Sequence, residues 1–191
     1  MRNLLWCFAA GALLAQEPQY LTGGELRRPA DYREWIFLSS GLGMTYGPAA
    51  GMSKEPRFDT VFVSPASWKS FRESGKWPDK TVFLLEIRAS SSQGSINKAG
   101  YFPAEVVAIE AAVKDVQRFE GGWGYFDFPS TGGGEFAQSA KLLGPKASCY
   151  ACHQTNGAVE NTFVQFYPTA LEIAKRKGTL NPKYAHPAPR P

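Results

Sequence analysis

Two cysteines three positions apart, followed at once by a histidine, are the residues of this chain best suited to chemistry: Ser148-Cys149-Tyr150-Ala151-Cys152-His153. The third cysteine of the 191 residues, Cys7, lies in an apolar opening stretch. On a helical turn, residues three apart share a side, so both sulfurs reach the two vinyl groups on one edge of a porphyrin. The next residue is then placed to bring an imidazole under an iron. C-x-x-C-H is the attachment signature of c-type haem. The reading is one haem c, covalently attached near the C-terminus through Cys149 and Cys152, with His153 as the metal ligand.

Other chemistries use paired cysteines. A disulfide is the ordinary fate of an exported pair, but so short a loop constrains the unfolded chain little. A thioredoxin-like redox site would follow an early strand of a βαβ unit, whereas this pair comes late, after loops rich in Gly and Pro. Structural zinc takes four ligands, and the other histidine, His186, sits in the Pro-rich tail. Haem is the favoured reading.

The chain's opening agrees with it. Arg2 precedes an uncharged, mostly apolar run from Leu4 to Leu14, and Ala15 precedes Gln16-Glu17-Pro18. That is the layout of a secretory signal peptide over 1–15, too short to span a bilayer. The cleavage pattern is imperfect, since Leu13 stands three residues before the expected cut. Cytochromes of this kind receive their haem outside the cytoplasm, so a periplasmic location is expected, and no later segment reads as a membrane span. Cleavage lowers the formal charge from +4 to +3, because Arg2 is the one charge removed. Basic pairs such as Arg27-Arg28 read as solvated surface, and no nucleic-acid motif is present.

The elements that must position these residues fit one domain over 16–191, with a core of about 26–172 and a Pro-rich tail after 181. Aromatic content is 14%, with 19 Gly and 14 Pro, which suits a sheet-rich chain. Pro29–Leu38 reads as a short amphipathic helix and 39–57 as a loop. Thr60–Val63 reads as a strand, and Ala66–Glu73 as a helix closed by Gly75. Thr81–Ala89 is the best strand by composition. Its face of Thr81, Phe83, Leu85 and Ile87 is expected to be buried. Residues 90–103 read as a loop, and Glu105–Phe119 fits helix or strand. Gly122–Phe128 reads as a strand, Phe136–Leu143 as helical, and Phe163–Lys177 as a helix interrupted at Pro168.

The order "PADYREW", "TVFV", "WPDKTVFLLE", "VKDVQRFEGGWGYFDF", "CYACH" and "FVQFYP" resembles the cytochrome P-460 and cytochrome c′-beta family over about residues 26–172. The resemblance implies an exported monohaem protein of the α+β class. It implies an antiparallel β-sheet with flanking helices and usually a homodimer, and it makes Glu105–Phe119 a strand. It also implies that His153 is the proximal ligand and that the other side of the iron is open or water-bound. In the hydroxylamine-oxidising members a lysine in the strand after the "D-x-T-V" turn is bonded to the porphyrin. That position is Leu85 here, and Lys80 lies on the opposite strand face. Glu110 matches the family's distal carboxylate, a candidate catalytic base, though a surface ion pair would also explain it.

An imidazole-held iron facing Phe83 and Leu85 suits small uncharged ligands, nitric oxide above all. An oxidase of hydroxylamine with Glu110 as base is the alternative. A six-coordinate electron carrier, using Met44, Met52 or His186 and a redox partner protein, is a third.

Overall fold

The computed structural model describes residues 17–45 and 55–185. The expected signal peptide with Cys7, the loop positions around Met52 and the tail from His186 lie outside the described residues.

Five strands carry the fold: β2 (Ile36–Leu42), β3 (Phe58–Val63), β4 (Val82–Ser91), β5 (Phe102–Lys114) and β6 (Trp123–Phe128). They follow a short strand β1 (Leu26–Arg27) and pair in sequence order, every pair antiparallel. Among the described residues three α-helices accompany them: α1 (Pro65–Ser74), α2 (Ser148–Asn156) and α3 (Pro168–Lys177). Three more short strands, β7 (Ser130–Gly132), β8 (Glu135–Phe136) and β9 (Ser139–Ala140), fill the stretch before α2. This is an antiparallel α+β fold, as expected, and Glu105–Phe119 is strand as far as Lys114.

Register decides which side chains share a face. On one side of the sheet lie Val61, Phe83, Leu85, Glu110, Ala112, Tyr125 and Asp127, aligned by the pairs Val61↔Leu85, Leu85↔Glu110, Glu110↔Asp127, Phe83↔Ala112 and Ala112↔Tyr125. On the other lie Phe62, Leu84, Ala111 and Phe126, with Glu86 and Ile109 two residues further along on the same face. The second side is closed by Leu26, Tyr32, Trp35, Phe119, Phe136 and Ala140. The first packs at one end against α1, α3 and the chain between α2 and α3, around Phe71, Trp77, Val164, Tyr167 and Ile173. There Phe71 and Trp77 stack with centroids 3.9 Å apart, an arrangement worth about 1 kcal/mol beyond area burial.

The helices obey their sequence signals. Pro65 and Pro168 each occupy a first-turn position, where a missing N–H costs nothing. Gly75 closes α1 with φ +73, a left-handed conformation that glycine adopts without strain. Pro168 therefore starts a helix, and the part before it is a 3-10 turn at Val164–Phe166.

Four expectations fail. Pro29–Leu38 is a 3-10 turn at Tyr32–Glu34 followed directly by β2, because Ile36–Leu42 pairs along β3 and sheet pairing outweighs local propensity. The loop expected from 39 correspondingly begins after Leu42. Phe136–Leu143 forms no helix: β9 pairs with β1, and Leu142 bridges to Phe126. Finally, the Phe83 face of β4 is buried only in part, at Thr81 and Phe83. Val82, Leu84 and Glu86 are buried on the other side, while Leu85 and Ile87 are only half-buried, because they border a cavity.

Candidate functional site

The cavity has a volume of about 920 Å³, near the top of the ~300–1,000 Å³ range of cofactor and ligand sites. Its floor is the open side of the sheet, including Val61, Phe83, Leu85, Glu110, Ala112 and Tyr125. Cys149, His153 and Asn161 line it from α2 and the turn beyond, and Met44 and Arg57 from the stretch around β2 and β3.

Helix α2 begins three residues after Pro145 and ends at Gly157, whose N–H donates to the His153 carbonyl at 2.9 Å. Cys149 borders the cavity and Cys152 does not. Both are half-buried free thiols, and Cys152 Sγ accepts from Asn156 Nδ2 at 3.8 Å. Burial, and then the charge of Glu110, push the Cys149 thiol above its ordinary range.

His153 is the most constrained of these side chains. Its Nδ1 lies 2.7 Å from the Asn161 carbonyl oxygen. A carbonyl can only accept, so Nδ1 carries the proton and Nε2 keeps its lone pair. Burial lowers the affinity of the ring for a second proton, against the opposing pull of that hydrogen bond. Tyr125 and Phe163 flank the imidazole at centroid distances of 4.6 and 4.2 Å. A neutral imidazole, fixed in one tautomer with Nε2 unprotonated, is the form that binds iron. A cavity wall carrying that ring and a thiol, opposite apolar Phe83 and Leu85, has the size and donor set for a c-type haem.

The sheet and α2 together place Phe83, Leu85, Glu110, Cys149 and His153 around one cavity. Lys80 is elsewhere, bonded at 2.5 Å to Asp115. Met44 also reaches the cavity wall, packed so close over Gly41 that a Cβ at that glycine would collide with its sulfur.

Glu110 is half-buried. Among the described residues its charged neighbours are Asp127, directly across on β6, and Asp59 on β3. Burial first, and these two carboxylates second, raise its affinity for a proton. Asp59 is raised too, by burial, and eased by Arg57. The site's sequence reading omitted Asp59, Asp127 and Asn161. Alternation in "GWGYFDF" put Asp127 on the Tyr125 face, but its meeting with Glu110 depends on register. Asn161 acts through its backbone, which leaves no mark on residue type.

No protein among curated relatives matches the chain. The cytochrome P460 family model matches residues 29–164, most of the chain, from the stretch before β2 through the cysteine pair to the turn before α3. By that match the chain belongs to the cytochrome P460 family, a family of c-type haem proteins.

Proposed function

We propose that this protein is an exported monohaem cytochrome that binds a small nitrogen species, nitric oxide above all. Cys149 and Cys152 would hold the haem covalently, and His153 would supply its axial nitrogen. The bound haem supplies an iron centre able to take a small neutral ligand. The observation that carries the reading is one cavity with His153 and Cys149 on one wall, and Phe83 and a leucine, Leu85, on its floor.

Each residue's part follows from its chemistry. The Asn161 carbonyl keeps the His153 proton on Nδ1, so Nε2 is available without deprotonation. Phe83 and Leu85 offer a ligand no hydrogen bond, which penalises dioxygen more than nitric oxide. Leu85 has no nucleophilic nitrogen, so a lysine-type cross-link to porphyrin cannot form there. Burial, Asp127 and Asp59 raise the proton affinity of Glu110 above that of an ordinary carboxylate, and once ionised it could take protons from a substrate.

Glu110 in the cavity favours, as a second reading, the oxidation of hydroxylamine. Met44 in the cavity wall favours, as a third, a six-coordinate electron carrier working with a protein redox partner. Periplasmic location, a homodimer and removal of residues 1–15 belong to the same proposal. No described helix is long and apolar enough to cross a membrane.

Absorption spectra of matured ferric, ferrous and nitric-oxide-treated protein, with mass spectrometry of the Cys149–His153 peptide, test it. The expected result is one haem per chain on that peptide, an ordinary c-type spectrum after denaturation, and a large spectral change with nitric oxide. A shifted spectrum that survives denaturation would favour the hydroxylamine reading. A low-spin ferrous protein that ignores nitric oxide would favour the carrier. An unmodified peptide would refute all three.

A further inference from the structure

The chain just beyond α2 makes a tight turn, and the Lys114, Glu160 and Trp77 side chains that anchor it do not line the cavity. Val159 and Thr162 form an isolated bridge, in which Thr162 N donates to Val159 O at 3.0 Å and Val159 N to Thr162 O at 3.4 Å, and Ala158 N also donates to Thr162 O at 2.8 Å. Glu160 holds φ +51, a left-handed conformation uncommon for a residue with a side chain. Three groups fix the turn there. Lys114 Nζ donates to both carboxylate oxygens of Glu160 at 2.8 Å, and also to the Trp77 carbonyl at 2.7 Å. The Trp77 indole donates to Thr162 Oγ1 at 2.9 Å, and that hydroxyl donates to Val159 O at 2.6 Å. At Gly157 a Cβ would collide with the Glu160 carbonyl oxygen and come within 2.9 Å of the His153 oxygen and the Thr162 nitrogen. The turn is pressed onto the end of α2 without slack.

The residue after Glu160 is Asn161, whose carbonyl accepts from His153 Nδ1 at 2.7 Å. We propose that the Glu160–Lys114 ion pair is a positioning device: it fixes the Asn161 carbonyl on His153 and thereby sets how strongly the imidazole donates to haem iron. The proposal rests on the haem reading above. A carbonyl that draws on Nδ1–H raises electron density at Nε2, and a stronger nitrogen donor favours ferric over ferrous iron. The side chains of Lys114 and Glu160 are only 16% and 28% exposed, so solvent screens the pair less than an open surface contact. Releasing it lets the turn relax from its left-handed residue and weakens the Asn161–His153 bond. Neither charged group touches the haem cavity, so neither is a catalytic residue.

Two variants of the haem-loaded protein test this. Glu160→Ala removes the carboxylate while keeping a Cβ at the left-handed position, and Lys114→Met removes the cation while keeping most of its apolar stem. Both should retain covalent haem. Both should raise the midpoint potential, lowering the ferric-to-ferrous ratio at a fixed potential by up to about tenfold. Both should also lower the iron–imidazole stretching frequency of the ferrous protein, a signature that a merely structural lesion would not move. If one variant fails to fold, the other decides. Folded, haem-loaded variants with wild-type potential and frequency overturn the ion-pair proposal alone. A wild-type chain that matures without haem overturns the haem reading and this proposal together.

Discussion

Glu86 on β4 and Glu110 on β5 stand one register step apart, on opposite sides of the same sheet, and the molecule treats them differently. Glu86 lies in the closed side. It accepts from the Tyr32 hydroxyl, from Arg33 Nε at 2.8 Å and from Arg88 Nε at 2.5 Å. Burial alone would raise its proton affinity, but these hydrogen bonds and the Arg33 charge outweigh burial and keep it ionised. Glu110, in the cavity, has acids for charged neighbours and is pushed the other way. The closed side satisfies its buried acid, as structural charges must be. The cavity side leaves its acid with proton affinity to spare, which is how functional carboxylates are tuned.

The neighbouring leucines should break the symmetry most visibly. Leu84 is 0% exposed, and Leu84→Ala should cost about 3 kcal/mol in urea unfolding. Leu85→Ala should cost less than about half of that, since its side chain faces a cavity rather than fixed protein atoms, and should show instead in ligand affinity. Equal losses would mean that the cavity face is packed like the core. Next in size, Glu86→Gln should destabilise by about 2 kcal/mol near neutral pH, because Tyr32, Arg33 and Arg88 lose a charged acceptor. The depressed proton affinity fixes the sign: the carboxylate's contribution is full above the unfolded carboxylate range and fades as pH falls through the folded value. The loss should therefore shrink on acidification.

The smallest effect has the opposite sign. Glu110 is raised in the folded state, so below the carboxylate range both states are protonated and nothing is lost. As pH climbs, the unfolded chain ionises first, and the folded state carries a growing penalty from burial, Asp127 and Asp59. Glu110→Gln should slightly stabilise the protein at neutral pH and be neutral near about pH 3, read by thermal unfolding at both. A destabilising Glu110→Gln at neutral pH would mean that the acid is paired like Glu86.

Much of the fold is legible in the sequence, but little of this contrast. The cysteine pair, the helix closed by Gly75, the strand from Thr81 and the helix after Pro168 all carry local signals of spacing or backbone geometry. The strand from Ile36 and the short strands near Phe136 do not, since each exists by pairing with a distant segment. Alternation in β4 was read correctly as two faces, but not which would be sealed. Tyr32, Leu26 and Phe136 do the sealing, and nothing in "TVFLLEIRA" announces them. The open side was likewise hidden: Asp59, Glu110 and Asp127 meet only through register, and Asn161 serves through its carbonyl.

The pairing of β1 with β9 has a consequence for how the molecule is born. Arg28 Nε donates to the Ala137 carbonyl, 109 residues further on, so the segment around β1 is fixed only after the whole intervening stretch has been synthesised. Contacts so remote in sequence slow folding. Until that belt fastens, the greasy rear of the sheet stands exposed to proteases and to its own copies. Trimming the chain through Arg28 should therefore shorten the protein's life in the cell before it alters the cavity.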